Sequence, residues 1–117
     1  LRALAQKADV LLENFATGVM DKLGVGASVL MGDNPRLIYA SATGYGLSGS
    51  ERDNLARGIT IQAVSDAISV TGFADGPPVK AGPAIADFLS GAHLYSAIVT
   101  ALYGRERTGR GRRSKSR

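Results

Sequence analysis

Asp87 is the residue whose setting most suggests chemistry. It stands in GPAIADFLSGAHL, residues 82–94, between apolar and small side chains, at the start of a stretch with helical spacing. A carboxylate there has two readings. As an N-cap it accepts backbone N–H bonds from Ser90 or a neighbour. Held ionised by a helix dipole and by hydrogen bonds, it can also attack an activated acyl group. The roles are compatible, although every bond donated to the anion lowers its nucleophilicity. His93 makes no dyad with it, because six residues of helix turn through roughly 600° and point the two side chains to different faces. His93 reads instead as a partly buried packing residue.

Other chemistries are poorly provided for. With one histidine and no cysteine, no metal site and no disulfide are expected. GYGLSG is not followed by the Gly-Lys-Ser/Thr of a phosphate loop, does not match a dinucleotide fingerprint, and no G-x-S-x-G elbow occurs. The chain has 117 residues, 44% hydrophobic and 21% charged, with a net charge of +4. That is the composition of one modest globular domain. From Arg105 onward lie seven basic residues against Glu106, which leaves a mildly acidic body. The tail GRGRRSKSR is expected to be disordered and solvated, and neither a nucleic-acid partner nor a membrane is expected. No apolar run reaches the about 20 residues of a membrane span and no signal peptide is visible, so a cytoplasmic protein is the default.

The elements that would position Asp87 follow from periodicity. Residues 1–7 read as a helix end, and Val10–Leu12 as a short buried parallel strand. FATGVMDKLGVG then suggests a short helix capped by Thr17 and ended by Gly24 or Gly26. A second helical piece spans about 27–31 before the Asn-Pro turn. RLIYAS is another β-prone run, which completes a βαβ unit with parallel strands. ATGYGLSGSERDN is a loop. Ile61, Val64 and Ile68 fall at helical spacing from Gly58 until Gly72 closes the helix. FADGPPVKAGP is a rigid, extended connection. The last helix is the longest, with an apolar face of Phe88, Leu89, Ala92, Tyr95, Ile98, Val99 and Leu102.

Five pieces in this order, ADVLLENFATGVMDKLG, NPRLIYASATGYGLSG, VTGFADGPPVKAG, IADFLSGAHL and ALYGRERTGRG, resemble the class III CoA-transferases. That family includes formyl-CoA transferase, carnitine CoA-transferase and α-methylacyl-CoA racemase. The likeness runs from about Ala8 to Gly111. It implies an α/β fold in which residues 1–109 are a partial Rossmann-like large domain, with short parallel strands and helices, and 110–117 a basic tail. It implies transfer of coenzyme A between carboxylic acids, with coenzyme A or acyl-CoA as substrate and no covalently bound cofactor. Asp87 matches the family's nucleophile. In that chemistry the carboxylate attacks the acyl-CoA thioester to give a mixed anhydride. The CoA thiolate returns to give an aspartyl-CoA thioester, and the acceptor acid completes the exchange. Asn14 and Phe15 match positions against the CoA nucleotide. Lys22 matches a cation facing CoA phosphate, and Tyr45 and Gly46 lie in the loop lining the acyl-CoA site. On residue chemistry alone Lys22 is equally a helix-end cation, and Tyr45 and Gly46 are turn residues.

Three features depart from the family pattern. Arg57, assigned with the CoA-binding residues, occupies a position where the racemase branch has a histidine base. A guanidinium stays protonated, so racemase chemistry is disfavoured. Gly58 replaces an acid, which argues against turnover. Asp66 replaces a common glycine. Family chains are also much longer, and the second domain and its glycine-rich flap are missing here. The chain reads as a truncated or frame-shifted segment, weakly active or inactive alone. Apolar faces left uncovered predict a homodimer or higher oligomer, interlocked or helix-exchanged. The alternative is a non-enzymatic, oligomeric module, binding CoA or a partner, that keeps the fold without the chemistry.

Overall fold

A computed structural model describes residues 1–82 and 84–116 of the chain, and of Ser116 only the backbone. Three parallel strands form one sheet in the order β1 (Val10–Glu13), β2 (Ile38–Ala42), β3 (Arg113–Ser116). Between β1 and β2 run α2 (Val19–Lys22) and α3 (Ala27–Asp33), which makes the expected βαβ unit. α1 (Arg2–Ala5) precedes it; α4 (Gly58–Val64) and α5 (Ile85–Thr108) follow β2.

The middle strand is apolar because both its faces are covered. Ile38, Tyr39, Ala40 and Ser41 are all buried. Alternation sends Tyr39 to one face, where it joins Ala5, Met20, Ala27, Leu30 and Leu37 in the core. On the opposite face α5 packs against β2 and β3. Two exposed-to-core ties close the first face: Arg2 donates to both carboxylate oxygens of Asp33 at 2.7 and 2.8 Å, and the Asn34 amide donates to the carbonyls of Ala5 and Ala8. Bonding to Arg2 holds the Asp33 carboxyl below the usual carboxylate range.

Arg105 fastens α5 to the sheet. It is buried, its Nη2 lies 2.9 Å from Asp9 Oδ1, and its Nη1 donates to the Arg36 carbonyl at 3.1 Å. A cation near a helix C-terminus is favourable in any case. Here it also satisfies a carbonyl at the entry to β2.

Several expectations need correcting. The tail is not disordered through its length. Gly111 N–H donates to the Pro35 carbonyl at 2.8 Å, Tyr39 N–H donates to the Arg112 carbonyl at 3.1 Å, and Arg113–Ser116 pairs with β2. Backbone bonding, not apolar side chains, makes this strand, which pairs with β2 alone at the edge of the sheet. The Arg113 guanidinium lies 5.9 Å from the Tyr39 ring centroid. Gly111 is required, since a Cβ there would overlap the Leu37 carbonyl. Arg117 lies outside the described residues.

The helix from Gly58 stops at Val64 rather than at Gly72, because Asp66 takes a left-handed backbone (φ 59°). Thr17 caps nothing; Gly18, also left-handed, precedes α2. Within the extended connection a turn bonds Gly76 N–H to the Phe73 carbonyl, and Pro83 lies outside the described residues. His93 is exposed, its ring nitrogen 2.8 Å from the Leu89 carbonyl, so it is not a partly buried packing residue. Finally, α5 is long and apolar enough to cross a membrane by length and composition (hydropathy 1.3). Core helices of soluble proteins meet the same criterion.

Candidate functional site

The carboxyl ends of parallel strands are where a sheet of this kind opens, since each chain leaves the sheet there and diverges to one face or the other. Asn14 directly follows β1 and Thr43 directly follows β2. Three cavities meet at these two turns.

The first, about 450 Å³, lies on the α5 face. It is lined by Leu12, Asn14, Thr43, Arg57, Asp87 and Tyr95, among others. Asp87 is not the N-cap. Ala84 is, and Asp87 sits three residues further on, in the first turn of α5. Among the described residues no side chain caps this helix, and Asp87 is the one acid in its first turn. Among the described residues no hydrogen bond or ion pair engages its carboxylate, so its oxygens stay free to react. Arg57 reaches the same cavity from the start of α4, where its backbone N–H is bonded by Thr60 Oγ1 at 2.9 Å.

A second cavity of about 520 Å³ opens on the other face of the sheet. Glu13, Phe15, Lys22, Tyr39, Arg52 and Arg113 belong to its wall. The Tyr39 phenol is pushed up to about 12, first by burial and then by the charge of Glu13; Arg113 pulls the other way and Asp21 adds to the rise. A third, of about 170 Å³, joins them, with Asn14, Phe15, Thr43 and Tyr45 on its wall.

The structure therefore gathers most of the residues singled out from the sequence. Asp87, Asn14 and Arg57 share one cavity, Phe15 and Lys22 a second, and Asn14, Phe15 and Tyr45 the connecting third. Gly46 lines none of the three; it is buried in a turn with φ 83°. Neighbouring Gly44 lines two of them, and a Cβ there would overlap that of Ala56 across the loop. Sequence reasoning missed Thr43, which touches all three cavities and whose buried hydroxyl has no partner among the described residues. Its place immediately after a strand was the available signal. It also missed Glu13, Arg52 and Arg113. Arg113 was lost in the charge of the tail. Among the described residues no cluster of three or more metal-ligating side chains occurs.

The sequence model of CoA-transferase family III matches residues 1–114. The acetyl-CoA:oxalate CoA-transferase of Acetobacter aceti is 46% identical over 109 residues, which is 92% of this chain and 28% of that protein. The formyl-CoA:oxalate CoA-transferase of Streptomyces avermitilis is 42% identical over 113 residues, 97% of this chain and 27% of its own. Among solved structures, a CaiB/BaiF family protein from Brucella suis superposes with a TM-score of 0.92 at 39% identity, covering 97% of this chain and 30% of that one. A hypothetical protein from Mycobacterium tuberculosis gives 0.90 at 34% identity, covering 97% and 32%. This chain thus spans between a quarter and a third of the length of the proteins it matches.

Proposed function

Because the chain belongs to CoA-transferase family III, we propose that its three joined cavities hold a coenzyme A thioester and that Asp87 is the group to which the acyl portion is transferred. The observation that carries this reading is that Asp87, whose carboxylate has no bonding partner among the described residues, lines a cavity sharing Asn14, Thr43 and Gly44 with the one bearing Phe15 and Tyr45, which in turn shares Phe15, Thr43 and Arg52 with the one bearing Lys22. Lys22, with Arg52 and Arg113 beside it, supplies positive charge for phosphates. Asn14, Phe15 and Tyr45 line the connection between phosphate and thioester. Asp87 Oδ attacks the thioester carbonyl, the C–S bond breaks, and CoA leaves as thiolate with an aspartyl-acyl anhydride in place. The thiolate then attacks the aspartyl carbonyl and releases the first acid. An acceptor carboxylate attacks the aspartyl-CoA thioester and expels the thiolate, which then attacks the acceptor's carbonyl in the new anhydride, so that the acceptor leaves as its CoA thioester and the Asp87 carboxylate is restored. The names of the relatives suggest small acids, oxalate among them, as the carboxylate partners.

Calorimetric titration of the chain with CoA and acetyl-CoA tests the binding half. Saturable binding is expected, and none up to millimolar ligand sinks the site. A second reading also has an observation in its favour. Phe88, Leu89, Val99 and Tyr103 of α5 are exposed, and the chain spans under a third of its curated relatives. A non-enzymatic, oligomeric module would keep CoA binding and never form a covalent adduct. Hydroxylamine trapping followed by mass spectrometry separates the two: the mass increase of a hydroxamate on the peptide containing Asp87 excludes that module.

A further inference from the structure

The turn that carries Asn14 and Phe15 is held by a side chain with no part in the transfer chemistry. Glu13 closes β1, and its Oε2 accepts the Phe15 backbone N–H at 2.9 Å. Its Oε1 accepts the hydroxyl of Ser41, the residue opposite it in the β1–β2 register. Ser41 is buried to 1% exposure, whereas the Phe15 ring is 54% exposed. One carboxylate therefore ties the central strand to the first residues of the exposed loop. The Phe15 amide lies beyond the end of the strand pairing, so the β1–β2 ladder offers it no acceptor. A carboxylate supplies one in a charge-assisted bond, about twice the strength of a neutral one. The contrast with Asp87 decides which acid does what. Both oxygens of Glu13 are engaged and held in place; those of Asp87 have no partner among the described residues.

We propose that Glu13 is a positioning residue for coenzyme A recognition, fixing the Asn14–Phe15 turn by bridging Ser41 and the Phe15 amide. The inference rests on the CoA reading above for the identity of the ligand and on the bridge itself for everything else.

The test follows the Phe15 amide resonance in the nitrogen-15-labelled 117-residue chain, together with CoA affinity by calorimetry. The proteins compared are the wild type, Glu13→Ala, Glu13→Gln and Ser41→Ala. In Glu13→Ala the Phe15 amide is expected to move upfield and CoA affinity to fall about tenfold, the equivalent of one hydrogen bond to a charged group. Glu13→Gln restores most of both, because its amide oxygen still accepts the Phe15 N–H. Ser41→Ala falls between. An unmoved Phe15 amide in Glu13→Ala, or a wild-type CoA affinity there, overturns the role. Should Glu13→Ala fail to fold, Glu13→Gln decides: a tenfold loss with no change at Phe15 overturns it, and near wild-type values for both support it. If the wild-type chain binds no CoA while Glu13→Ala shifts the Phe15 resonance, the ligand reading fails and the recognition role falls with it, leaving the bridge as a purely structural feature.

Discussion

At the scale of single residues, the chemistry separates by what each carboxylate and hydroxyl touches. Asp87 was legible in the sequence as an acid at a helix start, but its position was not. It lies in the first turn rather than at the cap, which removes the competing capping role. We expect Asp87→Asn to retain CoA binding within a few-fold and to yield no trapped adduct. Loss of binding in that variant would show that the carboxylate serves recognition instead. Tyr39 offers a pH test. Its folded value of about 12 lies above the ordinary tyrosine value of about 10. The stabilisation from its burial is therefore complete below about pH 10 and is lost as the pH rises toward 12, because the unfolded chain ionises first. Thermal unfolding followed against pH should show this decline, and Tyr39→Phe should flatten it. An unchanged slope in Tyr39→Phe would assign the alkaline loss to other groups. At Asp66, a left-handed backbone costs a non-glycine residue about 1 kcal/mol, so Asp66→Gly should raise stability by up to that amount in urea denaturation.

At the scale of elements, periodicity located every helix and both early strands, and failed where backbone geometry outweighed side-chain pattern. The α4 region kept helical spacing to Ile68, yet Asp66 turns the chain out after Val64. In the tail, charge suggested disorder, and the strand that forms there answers to hydrogen bonds that composition does not encode: Gly111 to Pro35, and Tyr39 to Arg112. Arg105 looked like a cation favouring a helix end. It is also the buried pin between α5 and the sheet. Its partner Asp9 is 76% exposed, so the ion pair itself contributes little. The larger effect is the Arg36 carbonyl, which loses its donor. Arg105→Met should therefore destabilise the fold by about 1–3 kcal/mol, while Asp9→Asn should cost under about 1 kcal/mol. Equal losses from the two in chemical denaturation would mean that the ion pair dominates.

At the scale of the whole molecule, the sequence disclosed the α/β class and the parallel βαβ unit, and its ordered motifs disclosed the family that the comparisons bear out. It did not disclose how the site divides across the sheet. The two larger cavities lie on opposite faces and share only Thr43, where β2 ends; that arrangement depends on register, which no single motif carries. The outer surface of α5 has Phe88 at 72% and Leu89 at 55% exposure, away from the cavities. Such a patch favours self-association, and light scattering is expected to report a dimer or larger assembly that Phe88→Glu with Leu89→Glu dissociates. A monodisperse wild-type monomer would remove that expectation. The most direct test of the account is a map of amide resonance changes in the labelled chain as CoA is added. Changes concentrated at Asn14, Phe15, Thr43, Tyr45 and the first turn of α5 are predicted; changes confined to surfaces remote from the sheet's carboxyl edge would contradict it.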